Sequence, residues 1–104
     1  MAAQLDELIH QPVRLRVMAT LVASSGRRRL DFTFLRDQLE LTDGNLGAHL
    51  RKLEDADYVA VEKTFVGRKP RTYVRATAAG RRAFAAHVSA LEAVLSGAGS
   101  EGRK

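Results

Sequence analysis

The segment from Leu41 to Arg75 restricts the possible folds of this chain more than any other part of the sequence. Thr42 is a good helix cap, and the leucines that follow it recur at helical spacing. An alternating segment comes next, then a basic turn from Gly67 to Pro70 and a second alternating segment. This order predicts a short amphipathic helix followed by a two-stranded ribbon with a cationic tip.

Helical periodicity on both sides of this segment predicts two longer helices. Residues 5–24 carry apolar side chains on two faces, and Pro12 should divide them into a short lead-in and a main helix with the proline in its first turn. The helical period returns at Thr77, and the apolar side chains on one face of this helix are Phe84, Val88, Leu91 and Leu95. Residues 97–104 are rich in glycine, serine and charge, so we predict one domain over residues 1–96 and a flexible tail.

A short strand and a further helix are predicted between the opening helix and Leu41. Leu30 and Phe32 alternate with polar neighbours, as in a strand. Thr33 is a candidate cap for the next helix. The side chains that this helix should turn inward are Phe34, Leu35 and Leu39. The complete order is helix, strand, helix, helix, strand, strand, helix, which is a mainly α fold with a small β-wing.

The amino-acid composition limits which partners this chain can bind and which chemical groups it can use. The 104 residues suit one domain, and the formal charge of +5 makes a polyanion the first candidate partner, although many basic proteins never bind nucleic acid. The absence of cysteine excludes disulfides and thiolate metal sites. His10, His49 and His87 lack paired metal-ligand spacing, so we expect no bound metal.

The sequence gives no sign of catalysis or of membrane insertion. It contains no arrangement of nucleophile, histidine and acid and no glycine-rich phosphate loop, so we expect neither an enzyme nor a cofactor. No apolar run reaches the roughly 18 residues that a bilayer span requires, and the first residues lack a signal pattern. We therefore expect a cytoplasmic protein without a membrane partner.

Three stretches of the chain carry a family resemblance, namely IHQPVRLRVMATL, LTDGNLGAHLRKLEDADYV and KTFVGRKPRTYVRATAAGRRAF. In turn they resemble the opening helix, the recognition helix, and the wing with the start of the last helix of the winged helix-turn-helix repressors. This is the broad group of MarR-like and ArsR-like bacterial regulators, and the small single-domain subgroup is the most similar. The resemblance spans about Leu5 to Leu95.

The resemblance implies a winged helix-turn-helix fold that dimerises through its first and last helices, and a repressor that binds a partly palindromic operator. The sequence departs from the family at Gly47 and Ala48, where a serine and a basic residue are usual, and at Ala78 and Ala79, where acids are common. Gly47 suggests a close approach to the helix. Asp57 replaces the usual glycine at the turn out of the helix, and aspartate tolerates the left-handed conformation better than most residues.

The helix that begins at Thr42 supplies the first candidate DNA contacts, Thr42 included. With the leucines inward, the residues on its opposite side are Gly44, Asn45, Ala48, Arg51 and Lys52, with His49 at the edge, near phosphate or the core. Asn45 suits adenine and Lys52 suits guanine or phosphate, while the small residues let the helix sit close to the groove. Alternatively these are solvated helix positions, and Arg51 could pair with Asp55.

The turn supplies the second candidate DNA contacts, which are Arg68, Lys69 and Arg71. They surround Pro70, and no acid lies between Lys63 and Arg75. Cations on a rigid tip can follow phosphates or enter a narrow minor groove. The alternative is a charged hairpin tip that only keeps the protein soluble. The arginines at 27–29 could brace the DNA backbone, but a solvated turn explains them equally well.

Apolar side chains beyond the needs of one small core predict a homodimer interface. Its candidate residues are Leu5, Leu8, Ile9, Phe84, Val88, Leu91 and Leu95. The expected function is sequence-specific regulation on double-stranded DNA. The alternatives are a winged helix that docks an acidic protein and an architectural DNA binder that ignores sequence. A small effector would have to sit between helices near the dimer interface, and no residue identifies one.

Overall fold

The computed structural model describes residues 4–24 and 28–101. The elements in this part of the chain are α1 (Glu7–His10), α2 (Pro12–Ala23), β1 (Leu30–Asp31), α3 (Phe32–Gln38), α4 (Asp43–Asp55), β2 (Val59–Val66), β3 (Lys69–Ala76) and α5 (Ala78–Glu101). The predicted order is confirmed, and Pro12 begins α2 after a lead-in of one helical turn. No helix in the described residues is long and apolar enough to cross a membrane.

The three strands form one antiparallel sheet in the order β1-β3-β2. Strands β2 and β3 pair from Val59 and Ala76 to Val66 and Lys69, so only two residues form the loop between them. The loop is shorter than the predicted turn, and Pro70 lies within β3. Gly67, the first loop residue, has a φ of 64°, which suits the first position of a type II′ hairpin turn and favours glycine.

The core lies between α1–α4 and the inner face of the sheet. Its buried residues are Ile9, Val17, Met18, Leu21, Leu35, Leu39, Leu46, Leu50, Leu53, Val59, Val74 and Ala76. The predicted leucine stripe of α4 is therefore confirmed, as is the inward direction of Leu35 and Leu39. Because the core holds one face of α4, the opposite face of that helix remains exposed.

The start of α3 differs from the prediction. The cap is Asp31, whose carboxylate accepts the N–H groups of Thr33 at 2.7 Å and Phe34 at 3.3 Å, so β1 ends and α3 begins two residues earlier than a Thr33 cap would allow. The prediction that Phe34 points inward is wrong, since its side chain is 51% exposed. Phe34 lies about 100° around the helix from Leu35, whereas Phe32, three residues before Leu35, shares its face and packs on the core.

The prediction that Ile9 belongs to the dimer interface is wrong. Its side chain is fully buried in the core of a single chain, so it is not available to a second copy. Asp6 determines this placement because its carboxylate caps α1 through the N–H groups of Leu8 and Ile9. Leu8 also packs partly against the core.

Helix α5 continues to Glu101, through residues that the sequence predicted to be a flexible tail. Extension of an existing helix adds one hydrogen bond per ordered residue and needs no new nucleus, so Gly97 and Gly99 weaken the helix without ending it. Residues 102–104 lie outside the described residues. The domain limit at residue 96 stays a prediction.

A buried polar cluster ties α1 to α5. The backbone N–H of Asp6 donates to His87 Nδ1 at 2.9 Å, and the Tyr58 hydroxyl donates to the Asp6 carboxylate at 2.6 Å. His87 is fully buried, and its Nε2 lies 3.4 Å from Nδ1 of His10. Burial and then the nearby His10 lower the pKa of His87, while the hydrogen bond to Asp6 and then burial raise that of Tyr58 to about 12.

Candidate nucleic-acid interface

The exposed face of α4 forms the first part of the site. The Thr42 hydroxyl accepts the Asn45 N–H at 3.1 Å, which confirms Thr42 as the cap. With the leucine stripe buried, the exposed residues on the other side are Gly44, Asn45, Ala48, Arg51 and Lys52, as the periodicity predicted. None of the ion pairs among the described residues involves Arg51, so the alternative pairing with Asp55 is not present.

His49 lies at the edge of the core rather than on the exposed face. Its Nδ1 is 3.1 Å from a guanidinium nitrogen of Arg14, whose Nε donates to the carbonyl of Leu8 at 2.7 Å. Burial lowers the pKa of His49, and the positive charges of Arg14 and Lys52 lower it further. A neutral, half-buried His49 supports the position of α4 against α2. The sequence offered no signal for this contact, because nothing in the local sequence distinguishes Arg14 from Arg16, the other arginine in α2.

An ion pair joins α3 to the start of α4, and a second lies within α3. Arg36 donates to Asp37 at 2.9 Å and to Asp43 at 2.7 Å, and both contacts raise the pKa of its guanidinium. Asp43 in the first turn of α4 suits the positive end of the helix dipole. Arg36 also balances the charge of Asp43 beside a surface that would face phosphates. Sequence reasoning did not identify this pair, which joins two different helices.

A cleft of about 390 Å³ separates α4 from the wing, which is the β2–β3 hairpin. Its lining residues are Phe32, Asp43, Gly47, Leu50, Arg51, Glu54, Val61, Lys63 and Thr72. The prediction that Gly47 marks a close approach is wrong within this chain, because a Cβ added there would meet nothing within 4 Å. Gly47 instead leaves the cleft open, and the walls carry two cations, Arg51 and Lys63, and two acids, Asp43 and Glu54.

The two faces of the wing differ in how their charges are used. On the face of the wing that is turned away from α4, Arg71 donates to Asp31 at 2.8 Å. On the same face Arg29 donates to Glu62 at 2.6 Å, and its guanidinium lies 3.9 Å from the centre of the Tyr73 ring. Burial acts to raise the pKa of Asp31, but its hydrogen bonds, first that from Arg71, lower it overall. Arg71, predicted to contact DNA, is thus engaged by Asp31 in a surface ion pair, although its side chain is 43% exposed.

Arg68 and Lys69 are the cations at the tip of the wing that remain available. Both are exposed, and neither side chain takes part in a hydrogen bond or ion pair with the rest of the described chain. Of the predicted arginine cluster, Arg27 lies outside the described residues, Arg28 is exposed, and Arg29 is paired with Glu62. No group of three potential metal ligands occurs among residues 4–24 and 28–101.

Comparison with known proteins places this arrangement in a family. Residues 13–95 match the family described as "Winged helix DNA-binding domain". An uncharacterized protein from Methanocaldococcus jannaschii is 35% identical over 78 residues, which cover 75% of this chain and 82% of that protein. The family match at residues 13–95 runs from the start of α2 through most of α5, and therefore includes both the α4 face and the wing.

Solved structures agree with this assignment. A transcriptional regulator homologue from Pyrococcus horikoshii OT3 has a TM-score of 0.81 at 35% identity, over 88% of each chain. A PadR family transcriptional regulator from Eggerthella lenta has a TM-score of 0.67 at 25% identity, over 90% of this chain and 88% of its own. A possible regulator from Methanosarcina mazei, at 16% identity and a TM-score of 0.57 over 91% and 85% of the two chains, shares the fold.

The comparisons confirm the predicted winged-helix resemblance. None of the descriptions above names the MarR or ArsR group, so that finer assignment stays a prediction. The matched segment, the fold and the position of α4 beside a basic hairpin all agree. This chain belongs to the winged helix DNA-binding domain family.

Proposed function

We propose that this protein is a transcriptional regulator, and specifically a repressor, that reads a pseudo-palindromic operator as a homodimer. The observation that carries the proposal is the exposed face of α4, where Asn45 and Lys52 flank the small residues Gly44 and Ala48. The two structural relatives described as transcriptional regulators, at 35% and 25% identity, support the same function.

The α4 face fits the major groove in shape and in chemistry. A major groove about 12 Å wide admits an α-helix, and small side chains at its surface allow the backbone to sit deep. The Asn45 amide can pair bidentately with an adenine edge. Lys52 and Arg51 carry the charge needed for guanine or phosphate. Buried Leu46, Leu50 and Leu53 fix the helix from behind, so that little order is lost on binding.

A second copy of the chain is the proposed partner of α5. Val94 is 52% exposed and Leu95 is 72% exposed, whereas Phe84 packs on the core of its own chain. The molecule measures 64 Å along its longest axis and about 25 Å across, so α5 offers a long surface beside the body. Two chains joined there would present two α4 helices to two half-sites. The predicted interface residues Leu5, Leu8, Val88 and Leu91 are half-buried, which leaves part of each side chain accessible.

Asn45→Ala tests the readout by α4. We expect the variant to lose its preference at one base position in each half-site, because a good bidentate contact discriminates by about 1–3 kcal/mol. The measurement compares affinity for a selected operator with affinity for a scrambled duplex at one salt concentration. Lys52→Ala is the matched comparison and should weaken binding to both duplexes. An unchanged ratio for Asn45→Ala would remove Asn45 from the readout.

Leu95→Glu tests the proposed dimer. We expect this variant to be monomeric and to bind the operator weakly, because the charge would enter an apolar contact between two α5 helices. Ser89→Glu is the control, since it adds the same charge at an exposed position off the apolar stripe. Sedimentation equilibrium at micromolar concentration measures both. A wild-type monomer under these conditions would contradict the proposed dimer.

A further inference from the structure

The tip of the wing carries an exposed aromatic side chain that the core does not use. Phe65 is 69% exposed, and the sheet register places it directly opposite Pro70. Both lie one residue away from the two-residue loop that carries the available cation Arg68. The exposed ring adds little to the stability of its own chain, so it is available for contact with a partner.

Phe65 lies on the face of the wing that is turned towards α4. Side chains along a strand alternate between the two faces, so Phe65 follows Val61 and Lys63, which line the cleft against α4. Val66 belongs to the other face, with Glu62, which is held by Arg29. A duplex in contact with the exposed face of α4 would therefore meet Phe65 and not Val66.

We propose that Phe65, supported by Pro70, makes an apolar contact with the deoxyribose walls of the minor groove beside the α4 site. This inference rests on the proposed function. Charge selects DNA as the occupant, because no acid lies between Lys63 and Arg75, and Arg68 in the loop and Lys63 on the same face as Phe65 would hold phosphates next to the ring. The sugars that form the minor-groove walls are the apolar surface between those phosphates. Apolar side chains are used in this groove by other minor-groove binders.

The affinity of Phe65→Ala for a selected operator tests the inference. Burial of a phenylalanine changes an equilibrium constant by roughly ten- to a hundredfold, so we expect a loss of at least about tenfold. The slope of log affinity against log salt should not change, because an apolar contact releases no counterions. Val66→Ala is the matched control, since this neighbour is 51% exposed on the opposite face and should bind like the wild type.

Hydroxyl-radical footprinting at saturating protein locates the contact. In the wild-type complex we expect protected deoxyribose positions in the minor groove flanking the α4 site, and in the Phe65→Ala complex we expect those positions to be cleaved again. Equal affinity of Phe65→Ala and wild type would overturn the inference. An equal loss for Val66→Ala, or a changed salt slope for Phe65→Ala, would also overturn it, because either result indicates a general disturbance of the wing.

Failure of the proposed function gives a different result. If the wild-type protein binds no duplex from a random pool, the proposed operator binding is contradicted before any variant is compared. A wild-type protein that binds its operator while the flanking sugars stay open to cleavage would overturn the role of Phe65 alone.

Discussion

Replacement of both Arg68 and Lys69 with alanine is expected to lower operator affinity on the order of a thousandfold at physiological salt. Each neutralised phosphate contributes about 0.9 to the slope of log affinity against log salt. Two cations in each subunit of a dimer make four contacts, so the slope should flatten by about 3.6. The two side chains are exposed and make no hydrogen bond or ion pair within the described chain, so the fold should survive.

The expected salt slope depends on whether Arg71 also contacts a phosphate. The sequence assigned it to DNA together with Arg68 and Lys69, which would give a slope change of about 5 for the triple variant of a dimer. The Arg71–Asp31 ion pair removes that cation from the tip, so the triple variant should match the double variant at about 3.6. A slope change near 5 would mean that Arg71 leaves Asp31 for a phosphate.

The salt series uses wild type, the double variant and the triple variant on the same operator. Circular dichroism provides the folding control. If the double variant keeps the wild-type slope while remaining folded, the wing is a solvated hairpin, and DNA binding depends on α4 alone.

Gly80→Ala is expected to destabilise the protein by about 3 kcal/mol, a large part of the stability of a small domain. A Cβ at this position would overlap the carbonyl oxygen of Tyr58, which is backbone and cannot rotate away. The junction is fixed on both sides: the Thr77 hydroxyl donates to the Asp57 carbonyl at 2.6 Å, and the Gly80 N–H donates to the Thr77 hydroxyl at 2.9 Å. Helix propensity alone would favour alanine by about 1 kcal/mol, so the two effects have opposite signs.

Urea unfolding measures the free energy of unfolding of the Gly80 variant. Gly97→Ala is the matched control in the same helix, because a Cβ there would meet nothing within 4 Å. We expect the control to be as stable as the wild type or slightly more stable. A Gly80→Ala midpoint equal to that of the wild type would show that α5 can move away from Tyr58 at little cost.

Most of the fold could be predicted from local sequence patterns. The Thr42 cap, the leucine stripe and the break at Pro12 depend on residues within a few positions of one another, and all three are confirmed. Asp57 adopts the left-handed conformation, with a φ of 65°, at the turn where related proteins usually have glycine. The α4 half of the site could be predicted for the same reason, since helical periodicity decides which of its side chains are exposed.

Contacts between distant parts of the chain determine the features that could not be predicted from the sequence. Asp31 both caps α3 and holds Arg71, which lies 40 residues later, and nothing in the local sequence distinguishes that arginine from Arg68. Likewise, Arg14 reaches His49 across 35 residues. Ile9 was assigned to a dimer interface because its periodicity shows an apolar face without showing what covers it. Each of these outcomes depends on tertiary packing.

Sequence-specific DNA binding is most directly tested by one ratio of affinities. Duplexes selected from a random pool by the wild-type protein are compared with scrambled duplexes of the same composition, at a single salt concentration. A regulator that reads bases through α4 should bind the selected duplex at least about a thousandfold more tightly. Equal affinity for the two duplexes would indicate an architectural DNA binder, and the absence of DNA binding would favour a protein-docking domain; either result would contradict operator recognition by α4.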